Sequence, residues 1–184
     1  VSGLEDFEKA RIIVMEEKAR LEQSGIKVKN SIKLGVMIET PAAVMMADQL
    51  AKQVDFASIG SNDLCQYLTA ADRMNSSVAK YCRSSHPALY RAIAMTVRAF
   101  QKENKPLSIC GELGGDKYAA CVLVGLGMRK LSMSANSIPV VKQMLSRFEL
   151  SDLEAVATAV LDCSDADEVE QCMEEFLHCE RNQY

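Results

Sequence analysis

The sequence lacks several features that would assign it to common functional classes. It has no G-x-G-x-x-G element after a predicted strand, so a dinucleotide-binding function has no support. No apolar run approaches the roughly 20 residues of a membrane helix, which argues against membrane insertion. The net charge of -4 and the isoelectric point of about 5.3 argue against a nucleic-acid groove or a polybasic membrane patch. We therefore expect no nucleic-acid partner and no membrane insertion.

Cysteine is present, but it lacks the spacing of a structural framework. There are seven cysteines, an odd number, and no C-x-x-C pair occurs. This pattern argues against a disulfide scaffold and against a zinc site, and it favours a reducing cytoplasm. We expect most of these thiols to pack in the core as small apolar groups.

The apolar content is sufficient for an ordinary domain core. Of the 184 residues, 48% are hydrophobic, so the chain is expected to fold into a globular structure. The sequence begins with a valine, and its opening resembles a helix from the middle of a domain. We interpret residues 1–184 as a single partial domain of a longer protein.

A regular order of helices and strands predicts a parallel α/β fold. Apolar residues at helical spacing, among them Phe7, Ile13 and Val14, predict a first helix that stops at Gly25. Four βα units and then two further helices follow. The predicted strands lie at about 33–39, 55–60, 107–110 and 130–134. This alternation implies parallel strands with right-handed crossovers, either in a small open sheet or in half of an eight-stranded barrel.

Acidic and polar residues directly follow two of the predicted strands. Glu39 follows the first, and Ser61, Asn62 and Asp63 follow the second. Because parallel α/β folds place their chemistry at the carboxyl ends of the strands, we expect a site at this edge. From the residues alone two other interpretations stay open. The acids would then cap the following helices, whose N-termini favour negative charge, and Asn62 would be a turn residue.

The sequence motifs at four strand ends resemble those of a known family. They read GVMIETPAA, DFASIGSNDLCQYLTAADRMN, SICGELGGD and KLSMSANSIP, in this order along the chain. Together they closely resemble the C-terminal phosphoenolpyruvate-binding domain of enzyme I, the phosphoenolpyruvate-protein phosphotransferase of the bacterial sugar phosphotransferase system. Pyruvate phosphate dikinase and phosphoenolpyruvate synthase share the GxMIE, NDL and CGE elements. The ADRMN and SMSANSIP segments look more like enzyme I.

The resemblance implies a fold and also identifies what this chain does not contain. In that family the domain is a (β/α)8 TIM barrel, and this chain resembles only its second half. The implied fold is an α/β structure of four parallel βα units, with N- and C-terminal helices. The family's two phosphate-binding arginines, in Arg-Thr motifs, and its phosphohistidine domain are absent from the sequence. His86 and His178 match no phosphohistidine signature, and we interpret both as structural or surface residues.

The resemblance also assigns roles to individual residues. Glu39 and Asp63 would hold Mg²⁺, which takes one or two protein carboxylates and completes its shell with substrate oxygens and water. Asn62, Asp63 and Arg73 would contact phosphoenolpyruvate, since a guanidinium pairs well with carboxylate and phosphate oxygens. Cys110 would be the general acid that protonates the enolate to give pyruvate. Without the resemblance, Arg73 would be a solvated surface arginine and Cys110 a core cysteine.

The implied reaction moves a phosphoryl group from phosphoenolpyruvate to a protein histidine in a separate N-terminal domain. The group then passes to a small phosphocarrier protein that serves sugar uptake. We expect a cytoplasmic homodimer, and we expect the 184-residue chain to be inactive by itself. Two alternatives stay open: a dikinase or synthase relative that uses a nucleotide, and a non-catalytic dimerisation or regulatory module.

Overall fold

The computed structural model describes residues 1–179, with side chains as far as Phe176. Helices alternate with short strands along the chain. The helices are α1 (Leu4–Gln23), α2 (Pro41–Met45), α3 (Ala47–Gln53), α4 (Ser61–Thr69), α5 (Pro87–Lys102), α6 (Lys117–Gly125), α7 (Ser137–Leu145), α8 (Leu150–Asp162) and α9 (Ala166–Cys179). The strands are β1 (Gly35–Ile38), β2 (Phe56–Gly60) and β3 (Leu107–Cys110), and short 3-10 segments cover Ala79–Tyr81 and Glu112–Gly115.

The three strands form one parallel sheet in the order β1-β2-β3. Gly35–Ile38 pair with Phe56–Ile59, and Ala57–Gly60 pair with Leu107–Cys110. The parallel α/β fold and the first three predicted strands are therefore confirmed, although β1 is shorter than predicted. An open sheet of this kind is consistent with part of a TIM-barrel-like domain.

The prediction of a fourth strand is wrong. Residues 130–134 reach the sheet through a single parallel bridge between Ile109 and Leu131. Two backbone hydrogen bonds at Ile109, of 3.0 and 2.8 Å, hold this bridge. The ladder stops there because the chain turns at a glycine on either side: Gly111 after β3 and Gly127 before the segment have φ of 101° and 99°. The sheet of the described residues thus has three strands rather than four.

Helices cover one face of the sheet. The strand side chains that point to this face are buried: Val36, Ile38, Ala57, Ile59 and Ile109. They form one apolar core with residues of α3, α5, α6 and α8, among them Leu50, Ile93, Leu123 and Val156. Burial of a large aliphatic side chain contributes about 1.5–3 kcal/mol, so this layer is the main source of stability.

The opposite face of the sheet is open. Met37 and Phe56 point to this side and are 38% and 41% exposed. The Phe56 ring lies over Gly35, where a Cβ atom would overlap the ring. In a closed barrel this face would line the interior. Its exposure is what distinguishes the described sheet from a complete barrel.

Helix α1 is confirmed, but most of its apolar surface is not covered. The helix ends before Gly25, whose φ of 80° is the left-handed geometry expected at a helix C-terminus. Phe7 is buried, whereas Ile12 and Ile13 are 54% and 65% exposed. None of the described helices, α1 included, has both the length and the apolar character needed to cross a membrane.

Gly125 at the end of α6 permits close contact with α8. A Cβ atom there would overlap the backbone oxygen of Leu153 and would lie 2.8 Å from the Ala157 Cβ. We expect Gly125→Ala to lower the free energy of unfolding by about 1–3 kcal/mol, the usual cost of overpacking. The melting temperature should fall by several degrees. The control is Gly3→Ala, because a Cβ atom there meets nothing within 4 Å. Equal melting temperatures for the two variants would contradict this account.

Candidate active site

The register of the sheet sets Glu39, Gly60 and Cys110 side by side at its carboxyl edge. Ile38 pairs with Ile59, so the next residue, Glu39, lies beside Gly60, and Gly60 pairs with Cys110. Because strand side chains alternate between faces, these three positions share the open face of the sheet. The parallel topology therefore brings a carboxylate and a thiol to one edge, as the sequence predicts for this fold class.

Glu39 extends over the end of β2. A Cβ atom on Gly60 would lie 3.2 Å from the Glu39 Cβ and 3.3 Å from its carboxylate oxygen Oε2. Any side chain at Gly60 would compete for the space that this carboxylate occupies. Gly60 is a site residue that the sequence analysis did not single out. The small residues that alternate with apolar ones in β2 are the sequence feature that could have indicated a close contact at Gly60.

Hydrogen bonds between the segments that follow β2 and β3 hold Asn62. Ser61 Oγ donates to the Cys110 carbonyl oxygen at 2.9 Å, and Glu112 N donates to Asn62 Oδ1 at 3.3 Å. Gly111 lies at this contact with φ of 101°, and a Cβ atom there would overlap Ser61 Oγ. Glycine alone combines this left-handed conformation with such a close approach. The Asn62 carbonyl is thereby fixed, and its amide nitrogen donates to no described residue.

Asp63 and Arg73 form an exposed ion pair beside Asn62. Asp63 lies in the first turn of α4, and Arg73 lies in the loop after that helix. Arg73 Nη2 is 3.6 Å from Asp63 Oδ1, and the two side chains are 42% and 47% exposed. Exposed pairs of this kind contribute only about 0–1 kcal/mol. The ion pair therefore adds little to the stability of the fold. The Arg73 backbone nitrogen also donates to Gln66 Oε1 at 3.3 Å.

Asn62 and Arg73 line a cavity of about 470 Å³. Its wall also includes Ser61, Cys65, Met74, Cys82 and Glu112. The structure thus brings Asn62, Asp63 and Arg73 together around α4. Asp63, Glu39 and Cys110 are not among the residues that line this cavity.

Cys110 ends β3 with its thiol against the neighbouring strands. Its Sγ donates to the Ile59 carbonyl oxygen at 3.4 Å and lies 3.7 Å from the Met37 Sδ. Both contacts direct the thiol over β2, which is also the strand that the Glu39 side chain covers. Met37 is a second residue at this position that the sequence analysis did not single out.

Two carboxylates, those of Glu39 and Asp63, follow adjacent strands at this edge. Among residues 1–179, no group of three or more His, Cys, Asp or Glu side chains is arranged to hold a metal ion. Zinc sites need three or four such ligands. Mg²⁺ in phosphate-substrate sites takes only one or two protein carboxylates. Glu39 and Asp63, which lie at the carboxyl ends of adjacent strands, match that smaller donor set.

Residues 1–150 match the family model described as PEP-utilising enzyme, PEP-binding domain. The chain belongs to this family. The resemblance drawn from the four strand ends is confirmed, since the chain is homologous to the C-terminal portion of phosphoenolpyruvate-protein phosphotransferase. PEP-utilising enzymes generally use Mg²⁺.

Several curated relatives carry the name phosphoenolpyruvate-protein phosphotransferase. The protein of Listeria monocytogenes is 43% identical over 176 residues, which are 96% of this chain and 31% of the relative. That of Bacillus subtilis is 40% identical over 169 residues, covering 92% and 30%. That of Mycoplasma capricolum is 39% identical over 178 residues, covering 97% and 31%. The chain spans about a third of the length of the relatives it matches.

The loop that carries Arg73 is anchored to α9. Arg83, near the end of the loop, binds Asp167, and its Nη2 lies 2.9 Å from Glu170 Oε2. Ser85 Oγ donates to Glu170 Oε1 at 2.7 Å. The hydrogen bonds to Asp167 and then to Glu170 raise the pKa of Arg83. No pattern in the sequence indicates this anchor, because its partners lie more than eighty residues apart in the chain.

The two histidines were interpreted as structural or surface residues. His86 Nδ1 accepts a hydrogen bond from Ala88 N at 3.2 Å, at the start of α5. This is a helix-capping contact, so the structural interpretation of His86 is confirmed. The side chain of His178 lies outside the described residues.

The loop anchor predicts a pH dependence. The hydrogen bond from Ser85, and then that from Arg83, lower the pKa of Glu170 from its ordinary value of 4.5. A carboxyl group whose pKa is lowered by folding stabilises the folded state at pH values above the pKa that it has in the unfolded chain. This stabilisation is lost as the pH falls through the pKa that the group has in the folded protein. We expect Glu170→Gln to lower the melting temperature in neutral buffer, and we expect the difference from wild type to vanish in buffers well below pH 4.5.

Glu174→Gln on the same helix is the control, because Glu174 makes no ion pair with the described residues. Its melting temperature should stay within about a degree of wild type at both pH values, as for most surface substitutions. A Glu170→Gln effect that persists unchanged in acid would show that the carboxylate charge is irrelevant to the anchor.

Proposed function

We propose that this chain supplies the C-terminal part of the active site of a cytoplasmic phosphoenolpyruvate-protein phosphotransferase. The site would bind phosphoenolpyruvate with Mg²⁺ and support phosphoryl transfer to a protein histidine in a separate domain, with release of pyruvate. A small phosphocarrier protein would then receive the group for sugar uptake. The observation that carries the proposal is the set of family residues gathered at one sheet edge: Glu39, Asn62, Asp63 and Cys110.

Glu39 and Asp63 would hold the metal ion. When bound, Mg²⁺ neutralises charge on the substrate and on the enolate that develops as the phosphoryl group leaves. Glu39 approaches from β1 across the side-chain-free position of Gly60. Asp63 approaches from the first turn of α4, where the helix dipole also stabilises a negative charge. The helix-capping interpretation of Asp63 is thus compatible with a metal-binding role.

Asn62 and Arg73 would hold the anionic substrate. The Asn62 carbonyl is occupied by Glu112 N, so its amide nitrogen is presented as a donor to a carboxylate or phosphate oxygen. Arg73 would turn from Asp63 to the substrate, since its present pairing is exposed and weak. A guanidinium and an amide on one wall of the cavity supply positive charge and directional donors to a small, dense anion.

Cys110 would protonate the enolate at its methylene carbon. Its thiol hydrogen now points to the Ile59 carbonyl oxygen, so it would have to turn from that oxygen to the substrate. A thiol can act as a general acid because its ordinary pKa lies near enough to neutrality. Cys110 shares the open face of the sheet with Glu39, so this donor would face a substrate held at the same edge.

The comparisons favour the phosphotransferase over a dikinase or synthase. The relatives named above are all phosphoenolpyruvate-protein phosphotransferases, and they match this chain over more than nine-tenths of its length. The alternative of an assembly module rests on a different observation, the open face with its exposed Met37 and Phe56. A partner seated on this face would lie against Cys110, whose Sγ is 3.7 Å from the Met37 Sδ, so the two functions would use the same surface.

Loss of the predicted metal ligands tests the proposal. In the intact protein that contains this chain, we expect Glu39→Gln and Asp63→Asn each to reduce pyruvate formation by roughly 10²-fold or more, since metal stabilisation of charge is worth several kcal/mol. Raising the Mg²⁺ concentration should restore part of the rate. Asp48→Asn on α3 is the matched control and should behave as wild type. Normal rates for Glu39→Gln at low Mg²⁺ would refute the metal assignment.

Replacement of the thiol tests the role of Cys110. We expect Cys110→Ala to lower the rate of pyruvate formation by about 10²–10⁴, the usual contribution of a general acid. Binding of phosphoenolpyruvate, measured by calorimetry on the intact protein, should weaken far less. Cys163→Ser, which removes a partly buried thiol at the end of α8, is the control. Turnover of Cys110→Ala within a few-fold of wild type would make this residue a packing residue only.

A further inference from the structure

Two thiols that have no role in the proposed reaction line the candidate cavity beside Arg73. Cys65 lies on α4 with 4% of its surface exposed, whereas Cys82 follows the Ala79–Tyr81 segment and is half-buried. Cys65 Sγ donates to the carbonyl oxygen of Arg83, the residue next to Cys82, at 3.2 Å. Burial, and then a hydrogen bond with the Cys82 side chain, raise the pKa of the Cys65 thiol to about 12. Cys65 Sγ thus touches the residue that follows Cys82, and both thiols line one cavity, so the two side chains are neighbours.

The segment between these cysteines carries the candidate substrate residue. Arg73 and Met74 lie within residues 66–81 and line the same cavity as the thiols. Residues 72–77 are all exposed, and Met74 is 85% exposed. A segment with so little buried surface belongs to the part of a fold that opens most easily.

We propose that Cys65 and Cys82 form a reversible disulfide, and that this modification fixes the loop carrying Arg73 against α4. The bond would close a covalent ring around residues 66–81. Closing such a ring removes conformations in which the loop is open, because the ends of the segment can no longer separate. The proposal concerns the thiols and the loop only, so it does not depend on which ligand the cavity binds.

Hydrogen peroxide is a sufficient oxidant. The more exposed thiol, Cys82, attacks one peroxide oxygen as a thiolate; the O–O bond breaks, hydroxide leaves, and Cys82 becomes a sulfenic acid. The Cys65 sulfur then attacks the Cys82 sulfur and loses its proton, the S–O bond breaks, and the departing hydroxide takes up that proton as water. In sum, two thiols are oxidised to a disulfide while one peroxide is reduced to two waters. A dithiol reductant reverses the bond by exchange.

Three other cysteines, Cys110, Cys163 and Cys172, serve as comparisons for the proposed disulfide. Cys163, at the end of α8, and Cys172, on α9, are a second pair of thiols, and neither lines the cavity. The sulfur atom near Cys110 is the thioether of Met37, which cannot form a disulfide. Oxidation at Cys163 and Cys172 would therefore leave the Arg73 loop unchanged, which makes that pair a control.

Mass spectrometry tests the bond. The full 184-residue chain is treated with hydrogen peroxide, the free thiols are alkylated, and the denatured protein is digested with trypsin. Cys65 lies in tryptic peptide 53–73 and Cys82 in peptide 81–83, whereas Cys163 and Cys172 share one peptide, 148–181. We expect a linked 53–73/81–83 product that disappears on reduction and is absent from Cys82→Ser. It should persist in the double variant Cys163→Ser/Cys172→Ser.

Native-state proteolysis tests the effect on the loop. Trypsin sites after Arg73 and Lys80 lie inside the ring. We expect cleavage at both sites to slow by about tenfold in the oxidised protein, because cleavage follows local opening. Peroxide-treated Cys82→Ser should be cut at the rate of the untreated protein. If Cys65 stays free for alkylation while Cys82 proceeds to a sulfinic acid, or if the linked protein is cut as fast as the reduced one, the proposal is overturned.

Discussion

Parallel pairing of β1 with β2 and of β2 with β3 is the constraint on which the candidate site depends. In a parallel sheet, the carboxyl ends of all strands lie at one edge. The register between neighbouring strands then decides which of their last residues lie side by side. Here the register sets Glu39 beside Gly60 and Gly60 beside Cys110. A slip of one residue in β2 would turn its side chains to the opposite faces. The carboxylate and the thiol would then no longer flank a position without a side chain.

Glycine at two positions permits the close contacts at this edge of the sheet. At Gly60 the missing side chain leaves room for the Glu39 carboxylate, and at Gly111 it lets the turn after β3 contact Ser61. Gly60 thus allows the Glu39 side chain to extend over β2. Gly111 allows the turn in which Glu112 N donates to Asn62 Oδ1. A larger residue at either position would therefore force a strand end to move.

The sequence predicts those features that local pattern and parallel topology determine. Strands β1 to β3 were predicted because short apolar runs end at acids, glycines or prolines, and the shared edge followed from the fold class. Residues 130–134 have the same local pattern, but a strand also needs a partner, and β3 offers only Ile109 before Gly111 turns away. The helical spacing in α1 likewise predicts the helix without predicting what covers Ile12 and Ile13.

Weak contacts decide the position of the loop that follows α4. Its C-terminal end is held to Glu170 of α9 by Arg83 and Ser85. Arg73 bonds Gln66 through its backbone nitrogen, and its side chain pairs with Asp63 in an exposed contact worth about 0–1 kcal/mol. No sequence pattern reports these contacts, because their partners are distant in the chain and the residues themselves are ordinary surface types. The register of the strands positions Glu39 and Cys110, whereas residues 72–77 of this loop are all exposed. In the proposed function, substrate access would depend on the loop, and the sheet edge would supply a metal ligand and the general acid.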